Sequence, residues 1–150
     1  MGYTVTILQV APQWIAAANV RANRSEVSKA MLGLLGRGWD FVRKSSIRND
    51  GQNVAIYRGD GDGVIISAGP RVLEKFEGTG DVDCVAMPSG PAAATIHMGP
   101  YEQLGGAHAA VCEWCAANGQ EIEGTNWEVY GHHEDDPSRR RTDVFYLLRS

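Results

Sequence analysis

The strongest chemical signal in the chain is the run Trp127-Glu128-Val129-Tyr130. It reads as a strand, and side chains alternate along a strand, so Glu128 and Tyr130 share one face while Trp127 and Val129 share the other. A carboxylate set among aromatic rings is costly to desolvate and wants a cationic or hydrogen-bonding partner. An organic cation meets both needs, because the rings add roughly 0.5–2 kcal/mol of cation–π attraction. The plainer reading is a strand glutamate that faces solvent or pairs with an arginine such as Arg58, since most acids are exposed.

Other residues invite chemistry and fail on spacing. Cys112-Glu113-Trp114-Cys115 has the form of a redox or zinc motif. A redox cysteine belongs at a helix start, where its thiolate is stabilised, and these two lie deep in a predicted helix. Zinc needs further ligands, and His132-His133 are adjacent where a three-to-five-residue spacing is required. His97 and His108 stand apart from any carboxylate and nucleophile that would make them catalytic. Gly59-x-Gly61-x-Gly63 lacks the following helix of a phosphate loop and reads as a tight hairpin. No metal and no cofactor is expected. Of the tryptophans, Trp14, Trp114 and Trp127 read as core, whereas Trp39 follows two glycines at a predicted helix end, where its ring can lean into a cleft.

The elements that position these residues come in two copies. Val5-Thr6-Ile7-Leu8-Gln9-Val10-Ala11-Pro12 matches Val82-Asp83-Cys84-Val85-Ala86-Met87-Pro88. An alanine-rich strand follows each, Trp14 to Val20 and Pro91 to His97. Asn53-Val54-Ala55-Ile56-Tyr57 matches Asn126-Trp127-Glu128-Val129-Tyr130, and each copy closes on an apolar strand, Val64–Ser67 and Val144–Leu148. Between them lie two helices. The first is announced by Asn23-Arg24-Ser25-Glu26, a cap with an acid three residues on, and carries Val27, Ala30, Met31, Leu34 and Leu35 on one face, with Gly36 and Gly38 as its stop. The second starts near Gly99-Pro100-Tyr101, buries Leu104, Ala107, His108, Val111, Cys112 and Cys115, and stops at Asn118-Gly119. The fold class is therefore α+β: pseudo-two-fold duplicated units with antiparallel sheets, one main helix each and a cleft between the halves. The repeat units run over about residues 1–72 and 81–150 of a single domain. Against Glu128 the first copy has Ala55, and Tyr57 matches Tyr130, so the cleft would hold one acid opposite Tyr57.

With 150 residues the chain has the length of one domain. Its 43% apolar and 21% charged residues exclude a disordered, collagen-like or disulfide-scaffold protein. The net charge of −4 argues against direct nucleic acid binding. Glu134-Asp135-Asp136 and Arg139-Arg140-Arg141 should offset each other in one exposed loop. No stretch has the ~18 apolar residues of a membrane span, and Met1 to Thr6 has neither the basic nor the apolar part of a signal peptide. Three cysteines, an odd number, fit a reduced, cytoplasmic protein.

Gly99-Pro100-Tyr101-Glu102-Gln103-Leu104, Asn118-Gly119, Trp127-Glu128-Val129-Tyr130 and Arg141-Thr142-Asp143-Val144-Phe145, in that order and spacing, resemble the GyrI-like effector-binding domain of bacterial multidrug-responsive regulators and stand-alone proteins. The resemblance is strongest over residues 82 to 148. It implies two strand-helix-strand-strand (SHS2) repeats and a hydrophobic or cationic small-molecule ligand held around a buried glutamate, here Glu128, with Tyr130 as a wall. The expected ligand-binding residues are Glu128, Tyr130, Tyr57, Phe145, Trp39 and Tyr101. Phe145 enters because the last strand should neighbour that of Glu128. The leading expectation is a stand-alone binder of amphipathic, cationic aromatic compounds, which would act without a DNA reader of its own. The resemblance also implies two alternatives. One is a hydrolase of strained electrophilic toxins, opening epoxides or cyclopropanes with Glu128 as general base and Tyr130 as proton donor. The other is a protein–protein inhibitor of the gyrase-modulating kind, with a protein partner.

Overall fold

The computed structural model describes residues 2–23 and 26–149. In chain order its strands and α-helices are β1 (Thr6–Val10), β2 (Trp14–Asn23), α1 (Val27–Lys44), β3 (Asn49–Asp60), β4 (Gly63–Val72), β5 (Asp83–Ala86), β6 (Gly90–Met98), α2 (Leu104–Ala117), β7 (Ile122–Tyr130) and β8 (Arg141–Leu148). They form two compact units, one of Met1–Ala11 with Ser89–Ser150, the other of Pro12–Pro88. Each is a four-stranded sheet with one helix, in the orders β1-β6-β8-β7 and β5-β2-β4-β3. Every pairing within them is antiparallel, so the fold is α+β.

The units are not cut where the sequence repeat suggests. β1 pairs with β6 of the second copy, and β5 pairs with β2 of the first. The cause is local. Pro12 and Pro88 follow these strands, and a proline, fixed near φ −65°, cannot take the positive-φ positions of a tight hairpin. Neither strand folds back on its sequence neighbour, so each completes the other copy's sheet. The true hairpin lies between β3 and β4. Asp60 pairs with Gly63, and Gly61 takes φ +60°, as a two-residue turn requires.

The helix α1 also departs from expectation. Its predicted stop at Gly36 and Gly38 is incorrect, because the helix continues to Lys44. Gly38 is there for packing: a Cβ on it would lie 2.5 Å from the Ala16 carbonyl oxygen and 2.8 Å from Pro70 Cδ. The helix touches the sheet backbone at this point, and only a hydrogen fits. The cap predicted over Asn23–Glu26 includes Arg24 and Ser25, which lie outside the described residues. Glu26 is itself the N-cap residue of α1, and its carboxylate accepts from the Asn23 N–H at 3.4 Å.

The helix α2 ends as expected. Gly119 has φ +68°, and the N–H groups of Asn118 and Gln120 close on the last carbonyls. Ala107, Val111 and Cys115 are buried, and Val111 and Cys115 pack with Ala93 and Leu148 against the sheet. Cys112, expected in that stripe, is exposed, one helical position off the packed face. In the charged loop Arg139 reaches Glu134 at 3.8 Å and Arg140 donates to the Glu134 carbonyl, so the charges do offset each other. Among the described residues no helix is long and apolar enough to cross a membrane.

Candidate functional site

The register of unit one decides what surrounds Glu128. On β7 and β8, Glu128 pairs with Val144, Tyr130 with Thr142 and Asn126 with Tyr146. On β6 and β8, Ala93 pairs with Tyr146 and His97 with Thr142. Ala93 and Tyr146 pack against α2. By alternation, Glu128, Tyr130, Val144, Tyr146, His97 and Thr142 therefore share the helix-bearing face.

Glu128 is only 6% exposed. From α2, His108 places Nε2 at 2.6 Å from Glu128 Oε2, and its Nδ1 lies 2.7 Å from the Tyr146 hydroxyl. The Tyr130 hydroxyl donates to Glu128 Oε1. Burial, the neighbouring Cys112 thiol and the Glu128 charge all hold the Tyr146 phenol far above its ordinary range. Tyr146 therefore keeps its proton and can donate to His108 Nδ1. In the neutral ring this leaves the proton on Nε2, where it is donated to Glu128. In that tautomer the donors run from Tyr146 to His108 to Glu128, with Tyr130 on the other carboxylate oxygen. Both carboxylate oxygens of Glu128 therefore have a hydrogen-bond partner.

The network reaches solvent through aromatic side chains. Tyr101, on the turn before α2, is 46% exposed and meets Tyr130 edge-on with centroids 5.9 Å apart. The Arg140 guanidinium lies 5.3 Å from the Tyr101 ring centre. Thr142, completely buried beside Tyr130 and His97, has a hydroxyl without a hydrogen-bond partner. His97 itself lies between the Tyr3 hydroxyl at 2.8 Å and the Pro100 carbonyl at 3.1 Å.

The predicted residues separate as follows. Glu128, Tyr130 and Tyr101 come together. Phe145 is on the strand beside Glu128, as expected, but on the opposite sheet face. There it stacks on Trp127 at 5.0 Å and lines a separate hollow of about 720 Å³ with Leu8, Ile96, Met98 and Asp143. The other two belong to unit two. Trp39 lies within α1, not at its end, and donates from Nε1 to Asn53 Oδ1 at 2.6 Å. That bond marks Asn53 as lying on the helix face of its sheet, and alternation along β3 puts Ala55 and Tyr57 on the same face. Position for position, this face mirrors that of Glu128 and Tyr130. Where unit one carries Glu128, unit two carries the fully buried Ala55.

His108 and Tyr146 were missed. His108 was already in the predicted buried stripe of α2, and Glu128 on a predicted strand face. The missing step was that a four-stranded sheet with one helix must turn that face to the helix. Tyr146 lies one residue of strand parity from the expected Phe145: Val144 and Tyr146, not Asp143 and Phe145, share the face of Glu128. Among the described residues no three His, Cys, Asp or Glu are grouped so that they could hold a metal ion.

No protein-family model matches the chain, and no curated protein matches it in sequence. Solved structures do match. The EcmrR C-terminal domain is similar at TM-score 0.82 and 15% identity, over 100% of this chain and 99% of that one. SAV2435, solved bound to tetraphenylphosphonium, is similar at TM-score 0.72 and 10% identity, over 100% and 95%. A hydrolase from Listeria innocua is similar at TM-score 0.64 and 12% identity, over 99% and 93%. At these identities the likeness is one of fold alone.

Proposed function

We propose that this chain binds amphipathic aromatic cations, with Glu128 as the anionic anchor and Tyr130 and Tyr101 as the ring-bearing wall. The observation that carries this reading is a carboxylate 6% exposed, held by phenol and imidazole groups, whose partner Tyr130 meets the exposed ring of Tyr101. A buried anion attracts a hydrophobic cation that gives up little hydration on entry. The fold likeness to SAV2435, bound to tetraphenylphosphonium, supports the same ligand class. The test is titration of tetraphenylphosphonium followed by tryptophan quenching, since Trp127 adjoins Glu128 in the chain. Saturable binding that weakens at least about tenfold in Glu128→Gln is expected, a loss of about 1.4 kcal/mol or more. Equal binding by the variant contradicts the reading.

One observation favours a hydrolytic alternative: His108 and Glu128 form an imidazole–carboxylate pair, and a Listeria innocua hydrolase shares the fold. In that reading Glu128 takes a proton from water, the oxygen adds to a strained-ring carbon, and the Tyr130 hydroxyl protonates the leaving oxygen of an epoxide. Turnover of an epoxide that is abolished in Glu128→Gln, with binding of neutral aromatics retained, distinguishes it from simple binding.

A further inference from the structure

The cluster holds a second ionisable group in direct contact with the anchor. His108 Nε2 is 2.6 Å from Glu128, and the contact is part-buried: the histidine side chain is 23% exposed and that of the glutamate 8%. A protonated imidazole at that distance neutralises the carboxylate; a neutral one leaves it charged. We propose that His108 selects ligands by charge, its neutral ring leaving the hydrogen-bonded Glu128 carboxylate to attract an organic cation and its protonated ring taking the place of that cation. This inference rests on the cation-binding reading above.

The surroundings leave His108 well placed for this role. The groups in contact with it are Glu128 on β7 and Tyr146 on β8; behind them Tyr130 bonds to Glu128, and the Cys112 and Cys115 thiols of its own helix act on Tyr146. On β6 the titratable group of the same sheet face is His97, already held by Tyr3 and Pro100. Tyr146 retains its proton and follows the imidazole in either state: its hydroxyl donates to Nδ1 of the neutral ring, and its oxygen accepts from Nδ1–H of the charged one. Glu128 is therefore the negative partner whose charge the proton on His108 cancels. The ligand cation and that proton compete for one carboxylate, so each must weaken the binding of the other.

The experiment is the affinity of the whole chain for tetraphenylphosphonium from pH 5.5 to 8, the range in which imidazoles change charge. Triphenylphosphine oxide serves as an uncharged probe of similar bulk, and calorimetry in two buffers of different ionisation enthalpy gives the proton balance. Affinity for the cation should rise about tenfold or more across the range, with up to about one proton released per cation at the acid end. The phosphine oxide should show no such rise. His108→Gln, which can still hydrogen-bond, should abolish the pH dependence, and His108→Asn serves if that variant does not fold. The proton count on the unaltered protein needs neither. If tetraphenylphosphonium binds with a flat pH profile and no proton release while Glu128→Gln still weakens it, the charge-selector role is overturned and the binding reading stands. If the cation does not bind at any pH, both are overturned.

Discussion

Tyr146 and Thr142 are the side chains whose contributions can be isolated most cleanly. Burial, the Cys112 and Cys115 thiols and the Glu128 carboxylate raise the Tyr146 phenol above its ordinary value of 10.0. The folded chain therefore retains a proton that the unfolded chain releases. The associated stability is fully present below about pH 10 and is lost as pH rises above it toward the folded value. Denaturant midpoints between pH 9 and 11 should fall with pH, and Tyr146→Phe should flatten that fall. A phenolate absorbance titration of the folded protein should lose one late-titrating tyrosine in the same variant. Thr142 differs: its hydroxyl is buried without a partner. Thr142→Val keeps the shape and removes the polar group, so it should stabilise the protein by roughly 1 kcal/mol in urea unfolding. A loss of stability would mean that the hydroxyl is satisfied.

At the scale of elements, α1 offers an internal control. A Cβ at Gly36 meets nothing within 4 Å, whereas one at Gly38 meets the Ala16 carbonyl oxygen at 2.5 Å. Gly36→Ala should therefore stabilise by about 0.5–1 kcal/mol through helix propensity alone. Gly38→Ala should destabilise by about 1–3 kcal/mol, because helix and sheet must separate. Thermal melts of the two variants should move in opposite directions. The same pair marks what the sequence could convey. Two glycines near the end of an apolar stripe look alike on a helical wheel, and only the β2 backbone facing Gly38 distinguishes a packing glycine from a stop. Where local chemistry decides, it was legible: the turn at Gly61 and the stop at Gly119 both require positive φ and both have it. Glu128 and Tyr130 were legible for the same reason, since alternation on a strand needs no tertiary knowledge. His108 and Tyr146 depended on which face the helix covers and on the exact register, neither of which is local.

At the scale of the molecule, the internal repeat was visible but its edges were not. Matching residues show that β1 corresponds to β5; they do not show that each pairs with the other copy's sheet. The consequence is testable with fragments. Residues 12–88 contain a complete four-stranded sheet with α1. Residues 1–72, the unit implied by the repeat, carry β1 without its partner β6 and lack β5. In urea the fragment 12–88 should unfold at the higher midpoint, and the fragment 1–72 should be the more prone to aggregate through the unpaired edge of β2. Equal midpoints would mean that the β2–β5 pairing contributes little.

The two copies differ most tellingly at one matching position, Ala55 in one and Glu128 in the other. The helix face of unit two is filled at the matching position by Ala55, and in unit one Glu128 replaces it, with His108, Tyr130 and Tyr146 supplying the hydrogen bonds that make its burial tolerable. The most direct measurement of its purpose is a crystal structure of the protein grown with tetraphenylphosphonium. The phosphonium centre should lie within about 6 Å of the ring of Tyr130 or Tyr101 and on the Glu128 side of the sheet. A phosphonium found instead against Phe145, Met98 and Ile96 on the opposite face would contradict the account.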